Sequence, residues 1–456
     1  MKHTDIAKVL KDKAIGQSVT VCGWVRTYRD SAQVGFLELS DGTSFAKLQV
    51  VLDKGKLAID GECTKNGASV AVTGNIVKAY KGDGVELNAE EVKLLGKCPP
   101  EYPIQKKRIT LETLRTIPHL RLRTNTFNAV FKVRSVAAQA VHRYFHERGY
   151  YYINTPIITA SDCEGAGEMF RVTTQGWNAK AGSEEEYHKN DFFGQRAGLS
   201  VSGQLEGEVA ATAFSKIYTF GPSFRAEKSN TTRHLAEFWH IEPEVAFAEL
   251  PDIIEIAEEM IKYLIRAVLE ECPDEITFFD SFVEKGLKDK LNHVLNSEFA
   301  VCDYTEAIKI LKEAKEDFRY PVEWGADIQT EHEKYLTEKV FKKPVFVTNY
   351  PKEIKSFYMK QNPDGRTVAA TDLLVPGIGE IIGCSEREAD YDKLVAAMKE
   401  RGMSLDSYKQ YLDLRLFGSV PHSGFGLGFE RFVMYVTGME NIRDVTLFPR
   451  WVGNVM

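Results

Sequence analysis

Between residues 97 and 124 the chain reads KCPPEYPIQKKRITLETLRTIPHLRLRT, and no long regular element can run through it. Its four prolines lack the N–H that a helix interior or a central strand needs, and its bases follow neither the helical nor the strand period. A chain that must break here folds as unlike parts. We expect a domain over residues 1–100, a linker over 101–123 and a second domain over 124–456, each domain long enough to bury its own core.

The first part is short and strand-like. SVTVCGWVRTY, GFLELSDG, FAKLQVVLD, ASVAVTGNIVKAY and VELNAEEVKLLG are separated by Gly, Asp and Asn turn signals. Five such segments in about 80 residues suit a small closed barrel of the oligonucleotide-binding type. Residues 1–110 carry 17 Lys and Arg against 13 Asp and Glu, a surplus of +4, which leaves −11 for the rest of a chain whose net charge is −7. That balance gives no support to bulk nucleic-acid binding by the whole chain, is compatible with it for the barrel, and taken alone decides nothing. No run approaches the roughly 18 apolar residues of a membrane span, so no membrane partner is expected. The start, MKHTDIAKVLKDKAIG, lacks the apolar core of a secretion signal and predicts a cytoplasmic protein. Seven scattered cysteines without a CxxC pair argue against a zinc site and a disulfide scaffold.

The second part opens with FNAVFKVRSVAAQAVHRYFHERGYYYINTPIIT. Its apolar residues recur at helical spacing up to Gly149, which ends the helix; a strand follows. Pro156 cannot donate to a ladder and marks an edge or an end of that strand. Residues 252–271 form an amphipathic helix with no chemistry assigned, and 272–345 alternate patterns uninformatively. Strands dominate the segments that look chemical while helices intervene irregularly. The fold class is therefore α+β with an antiparallel sheet, rather than a βαβ series.

Four segments could carry chemistry. In FRAEKSNTTRHLAEF an extended chain puts Arg225 and Glu227 on one face, and after a turn Phe238, His240, Glu242 and Glu244 share a face. A cation suits a phosphate, a carboxylate suits an amine, and a flat ring suits a nucleobase. In PHSGFGLGFERFVMYVTG, Gly424, Gly426 and Gly428 alternate and leave a bare strip of strand. Arg431 then stands in the first turn of a helix, where its charge opposes the dipole unless an anion lies beside it. In ATDLLVPGIGEIIGCSERE, Asp372 and Glu380 flank a loop and suit Mg²⁺ carried in with phosphates, on a strand leading to Arg387. Around Glu164 and Gln204 small residues suggest a tight polar pocket. Taken singly, each segment also fits an exposed hairpin, a glycine-rich bend or surface charge.

In this order the segments resemble the class II aminoacyl-tRNA synthetases of the aspartate–asparagine–lysine subgroup. FNAVFKVRSVAAQAVHRYFHERGYYYINTPII is similar to the family's first signature, FGPSFRAEKSNTTRHLAEFWHIEPE to its second and SGFGLGFER to its third. VSGQL, CEGAGEMFRVTT, RHLAEFWHIEPE and DLLVPGIGEIIG resemble the asparagine branch most closely. The resemblance covers nearly the whole chain. It implies an ATP- and Mg²⁺-dependent ligase that joins L-asparagine to tRNA(Asn) through an adenylate. Its alternatives are an aspartate enzyme that also charges tRNA(Asn), and a non-catalytic RNA-binding relative.

By this resemblance Arg225 and Arg431 are catalytic. Arg225 holds the α-phosphate, Glu227 accepts from the adenine amino group, and Phe238 and Arg431 cover the two faces of the ring. His234 contacts the γ-phosphate, Gly428 belongs to the ATP site, and Asp372 and Glu380 bind the metal. Glu164, Gln204, Glu242 and Arg387 surround the amino acid, with Glu242 at the amide NH₂. On the barrel, Phe36 stacks on an anticodon base, Gln49 reads a base, and Arg26 and Arg29 meet phosphates. Pro156 lies at the interface of a homodimer. Three features depart from the family pattern. The spacing from Asp372 to Glu380 is one residue longer than in the aspartate enzymes, Cys384 replaces a Gly, and Glu386 replaces a Gln.

Overall fold

The computed structural model describes residues 2–105, 107, 109–163 and 169–455. Strands β1 (Ser18–Asp30), β2 (Val34–Ser40), β3 (Leu48–Asp53), β4 (Ser69–Lys78) and β5 (Val85–Gly96) close a barrel in the order β1-β2-β3-β5-β4. Alternation fills it: Leu37, Leu39, Leu48, Val50, Leu52, Val70, Val72 and Leu87 are fully buried. Their strand neighbours Phe36, Glu38 and Gln49 are only partly buried, on the outer face. Closure removes the exposed edges that a five-stranded sheet would otherwise present.

The segment expected as a linker is not free chain. Cys98, Tyr102 and Ile104 belong to the barrel's core cluster, and Ile109, Ile117 and Leu120 pack against it. Short helices follow Pro103, one at Leu111–Arg115 and one, opening on Pro118 itself, at Pro118–Arg121. Its apolar side chains have surface to bury, so it wraps the first unit. That unit runs to Lys132, inside the helix Asn125–Glu147, beyond the boundary expected at residue 123.

The second unit begins with the rest of that helix, which ends as expected before Gly149, held at φ +76°. The strand expected next is cut short to β6 (Tyr151–Tyr152). Strands β7 (Ile158–Thr159), β8 (Arg171–Val172) and β9 (Ala197–Leu199) then form a separate small sheet in the order β7-β9-β8. Pro156 lies exposed between β6 and β7, in neither ladder. The large sheet adds β10 (Lys216–Phe224), β11 (Glu237–Ala246), β12 (Ala300–Asp303), β13 (Val345–Thr348), β14 (Ala370–Val375), β15 (Gly379–Glu386) and β16 (His422–Gly428).

Its eight strands run β12-β13-β14-β15-β16-β11-β10-β6. The five pairs from β13 to β10 are antiparallel, whereas the two outermost pairs, β12–β13 and β10–β6, are parallel. The expected antiparallel α+β sheet is thus the one observed. Helix Leu250–Glu271 buries Ile253, Ala257, Met260, Ile261, Leu264, Ile265 and Val268, and it packs across β14, β15 and β16. Asp252 caps it by accepting from the Glu249 N–H at 2.8 Å. Truncating one such leucine costs about 2–5 kcal/mol, so this helix is the support behind the strands that carry the polar face.

Candidate active site

Phe238, His240, Glu242 and Glu244 alternate along β11 and all line one cavity of about 970 Å³. β10 stops at Phe224, so Arg225 and Glu227 lie in the connecting loop rather than on a strand. Arg225 still extends the ladder, its N–H donating to the Ala236 carbonyl at 3.0 Å. Its guanidinium stands 5.4 Å from the centre of the Phe238 ring. Glu227 is exposed at the rim of the same cavity. His234 shares a hydrogen bond of 2.5 Å with the Thr231 hydroxyl and one of 3.2 Å with Ser229. Burial, and then the Arg431 charge, push its imidazole below the ordinary value, which favours the neutral ring.

Strand β16 supplies the bare strip. A side chain at Gly424 would run into the Glu244 carboxylate, and one at Gly426 would reach within 3.9 Å of His240 Nε2. Gly428 caps the helix Phe429–Thr437, and Arg431 is in its first turn. The anion expected beside Arg431 is Glu380. Arg431 Nη1 donates to its carbonyl at 3.2 Å and to its Oε2 at 3.4 Å. Arg225, Phe238 and Arg431 therefore face one space.

Asp372 on β14 lies opposite Gly383 on β15. A Cβ built at Gly383 would stand 3.4 Å from Glu380 Oε1 and 3.6 Å from Asp372 Oδ1, so the two carboxylates converge over one glycine. Among the described residues no group of three or more His, Cys, Asp or Glu is arranged to hold a metal. Two hard carboxylates still fit Mg²⁺, which fills most of its shell with water and substrate phosphates. Lys355 donates to Asp372 Oδ2 at 2.5 Å. Burial and then Glu380 raise the Glu333 carboxyl to about 7, against the pull of Arg233.

At the other end, Gln204 Nε2 donates to Glu208 at 3.0 Å, which leaves the amide oxygen for the cavity. Glu208 is itself fully buried and accepts from Tyr411, Arg415 and His422. Glu242 accepts from Ser202, from the Gly203 N–H at 2.9 Å and from Thr219 at 3.1 Å. Burial alone would raise its carboxyl, but His240 and these donors hold it at about 2. Arg387 is clamped by Glu244, Nε to Oε2 at 3.1 Å, and its Nη1 donates to Ser385 at 2.6 Å. Burial disfavours its charged form, but the buried Glu244 carboxylate outweighs that and raises it above the ordinary value. Glu164 lies outside the described residues.

On the barrel, Arg29 stands opposite Phe36 in the β1–β2 register. It lies over that ring at 5.7 Å and donates to Gln49 Oε1 at 2.9 Å. Gln49 Nε2 donates in turn to Glu86 at 2.9 Å. Phe36 is half-buried on the outer face, not part of the barrel core. Arg26 is not with this group. Its guanidinium bonds the Arg123 carbonyl.

Lys355, Glu333, Glu208 and the clamp of Glu244 on Arg387 were not read from the sequence. Glu208 lies four residues after Gln204 on the helix Gln204–Phe214, a spacing that could have linked them. Lys355 and Glu333 sit in segments of weak period, where only the folded chain brings them to the acids.

Residues 110–452 match the family described as tRNA synthetases class II (D, K and N), and residues 19–95 match the OB-fold nucleic acid binding domain. The asparagine–tRNA ligase of Clostridium perfringens is 56% identical over 442 residues, covering 96% of this chain and 95% of its own. That of Bacillus cereus is 54% identical over 461 residues, covering 100% and 99%. The crystal structure of asparaginyl-tRNA synthetase from Pyrococcus horikoshii, complexed with asparaginyl-adenylate, superposes with a TM-score of 0.88 at 35% identity, covering 100% of this chain and 99% of that one.

Proposed function

The chain belongs to the class II aminoacyl-tRNA synthetases of the aspartate, lysine and asparagine group, and from that premise we propose how its cavity works. It ligates L-asparagine to tRNA(Asn) through an asparaginyl-adenylate, consuming ATP and releasing AMP and pyrophosphate. The observation that carries the assignment of roles is that Arg225, Phe238 and Arg431 line one cavity. Adenine lies between the Phe238 ring and the Arg431 guanidinium, a planar cation suited to covering a base. Glu227 accepts from its amino group, His234 meets the γ-phosphate, and the missing side chain at Gly428 leaves room for the nucleotide.

A carboxylate oxygen of asparagine attacks the α-phosphorus as the bond to pyrophosphate breaks, and no side-chain nucleophile is needed. Arg225 stabilises the charge that develops on the phosphate oxygens. Asp372 and Glu380 would hold Mg²⁺, whose chemistry when bound is to neutralise phosphate charge. The terminal ribose hydroxyl of the tRNA then attacks the adenylate carbonyl and AMP leaves. Holding the reactants in line supplies much of the rate.

Gln204, with its oxygen facing the cavity, accepts from the substrate ammonium. Glu242, held ionised by His240, Ser202, Gly203 and Thr219, accepts from the amide NH₂ of asparagine at the cavity wall. A carboxylate held ionised there repels aspartate. Arg387 keeps N–H groups beyond those given to Glu244 and Ser385, and these suit the side-chain carbonyl. On the barrel, Phe36 stacks an anticodon base, Gln49 reads an edge, and Arg29 adds a cation.

The partner in a homodimer is a second copy meeting the region of Pro156, where Tyr151, Tyr152, Ile157 and Ile158 are exposed. Sedimentation at twice the chain mass tests that. Among the described residues no helix is long and apolar enough to cross a membrane, in keeping with a cytoplasmic site of action. Pyrophosphate exchange measured with each amino acid tests the whole reading. Asparagine should support it, and a clear preference for aspartate would overturn the choice of substrate.

A further inference from the structure

Each of the two acids proposed to hold the metal already has its own cation. Lys355 Nζ lies 2.5 Å from Asp372 Oδ2, and Arg431 Nη1 lies 3.4 Å from Glu380 Oε2. The nearby Glu333 faces Arg233, and Arg225 also acts on Glu380. Arg431 covers the nucleotide in the proposed site, and Arg233 is held by Thr330 and the Gly377 carbonyl. Lys355 has no such second role. Its ammonium sits 3.9 Å from the centre of the buried Tyr350 ring, so cation–π attraction and the Asp372 bond fix it on the outer oxygen. That leaves Oδ1 as the oxygen that converges with Glu380 over Gly383.

We propose that Lys355 is a positioning residue that acts through its charge. It cancels the charge of Asp372 so that the acid pair cannot retain a divalent cation by itself, and the metal is accepted only together with the triphosphate. Mg²⁺ binds through few carboxylates when phosphates complete the charge, and a neutralised pair removes the alternative of a metal resident without nucleotide. The benefit is chemical. A metal that enters with ATP can leave with pyrophosphate, so product release does not have to strip it from the protein.

The inference rests on the proposed site for ATP and metal, and its test is separate from activity. Mn²⁺ is titrated into the nucleotide-free enzyme and free ion is read by electron paramagnetic resonance. Lys355→Met, which keeps an apolar stem against Tyr350, should bind Mn²⁺ at least about tenfold tighter than the wild type, since a nearby unit charge in a partly buried site is worth more than that factor. Adding Asp372→Asn should abolish the gain, and Lys355→Arg should leave the wild-type affinity. A ratio near one, or a gain that survives Asp372→Asn, overturns the proposal. Should Lys355→Met fail to fold by thermal unfolding, Lys355→Gln is read by the same criterion. Wild-type exchange with asparagine alongside an unchanged Mn²⁺ affinity would sink this inference while leaving the assigned reaction standing.

Discussion

The cavity and the barrel face, both proposed to meet nucleotides, are built in opposite ways. In the cavity the charges are buried and paired, Arg387 with Glu244 and Glu242 with Ser202, Gly203 and Thr219, and Arg415 pairs with Glu208 beneath Gln204. On the barrel the chain Arg29–Gln49–Glu86 lies on an outer surface, beside a half-buried Phe36. The difference follows from what each must do. Chemistry on a phosphate needs dipoles and charges fixed before the reaction, and a water-poor site makes them strong. Reading unpaired bases needs a ring and a few adaptable hydrogen-bonding groups, which water can satisfy between encounters. Substitutions in the cavity should therefore cost folding or chemistry, and those on the barrel should cost only RNA binding.

The sharpest break comes from Glu244→Gln, which leaves Arg387 buried without its counter-charge. Unfolding in urea should show about 3–5 kcal/mol lost. Arg225→Ala comes next: pyrophosphate exchange should fall roughly 10²–10³-fold while tRNA binding, measured by filter retention, stays near wild type. Phe36→Ala should do the reverse, weakening tRNA binding by about 1–3 kcal/mol with exchange unchanged; equal damage to exchange would erase the contrast between the regions.

Glu242 sharpens the contrast through pH. Its carboxyl is held at about 2, below the ordinary 4.5, so its ionised form contributes stability above 4.5 that is lost as pH falls from there towards 2. The unfolding free energy of the wild type should thus fall more steeply across that window than that of Glu242→Gln. The smallest effect is expected for Arg29→Ala, an exposed cation on the barrel. It should reduce the salt dependence of tRNA binding by about one unit of slope and leave fold stability within about 0.5 kcal/mol.

Much of this is legible in the chain. Alternation in GFLELSDG fixes Leu37 and Leu39 inward and Phe36 outward, because strand side chains have a period of two. The same rule puts Phe238, His240, Glu242 and Glu244 on one face, and the three alternate glycines of β16 on one strip. The segment expected as a linker is where pattern fails. Its prolines exclude long elements, but Tyr102, Ile104 and Leu120 still have apolar area to bury, and a breaker residue says nothing about docking.

Local pattern also predicts that Arg431 wants an anion, without naming it. Glu380 is 51 positions away in the chain and becomes that anion only when β15 and β16 pair. Primary structure thus specified the periods, the breaks and the kinds of group present, since those depend on near neighbours and backbone geometry. Folding alone selected which acid meets which base. Lys355 on Asp372, Arg415 on Glu208, and Arg387 on Glu244 are pairings of charge between residues far apart in the chain. Their energies depend on burial and separation in space, quantities that no linear spacing encodes.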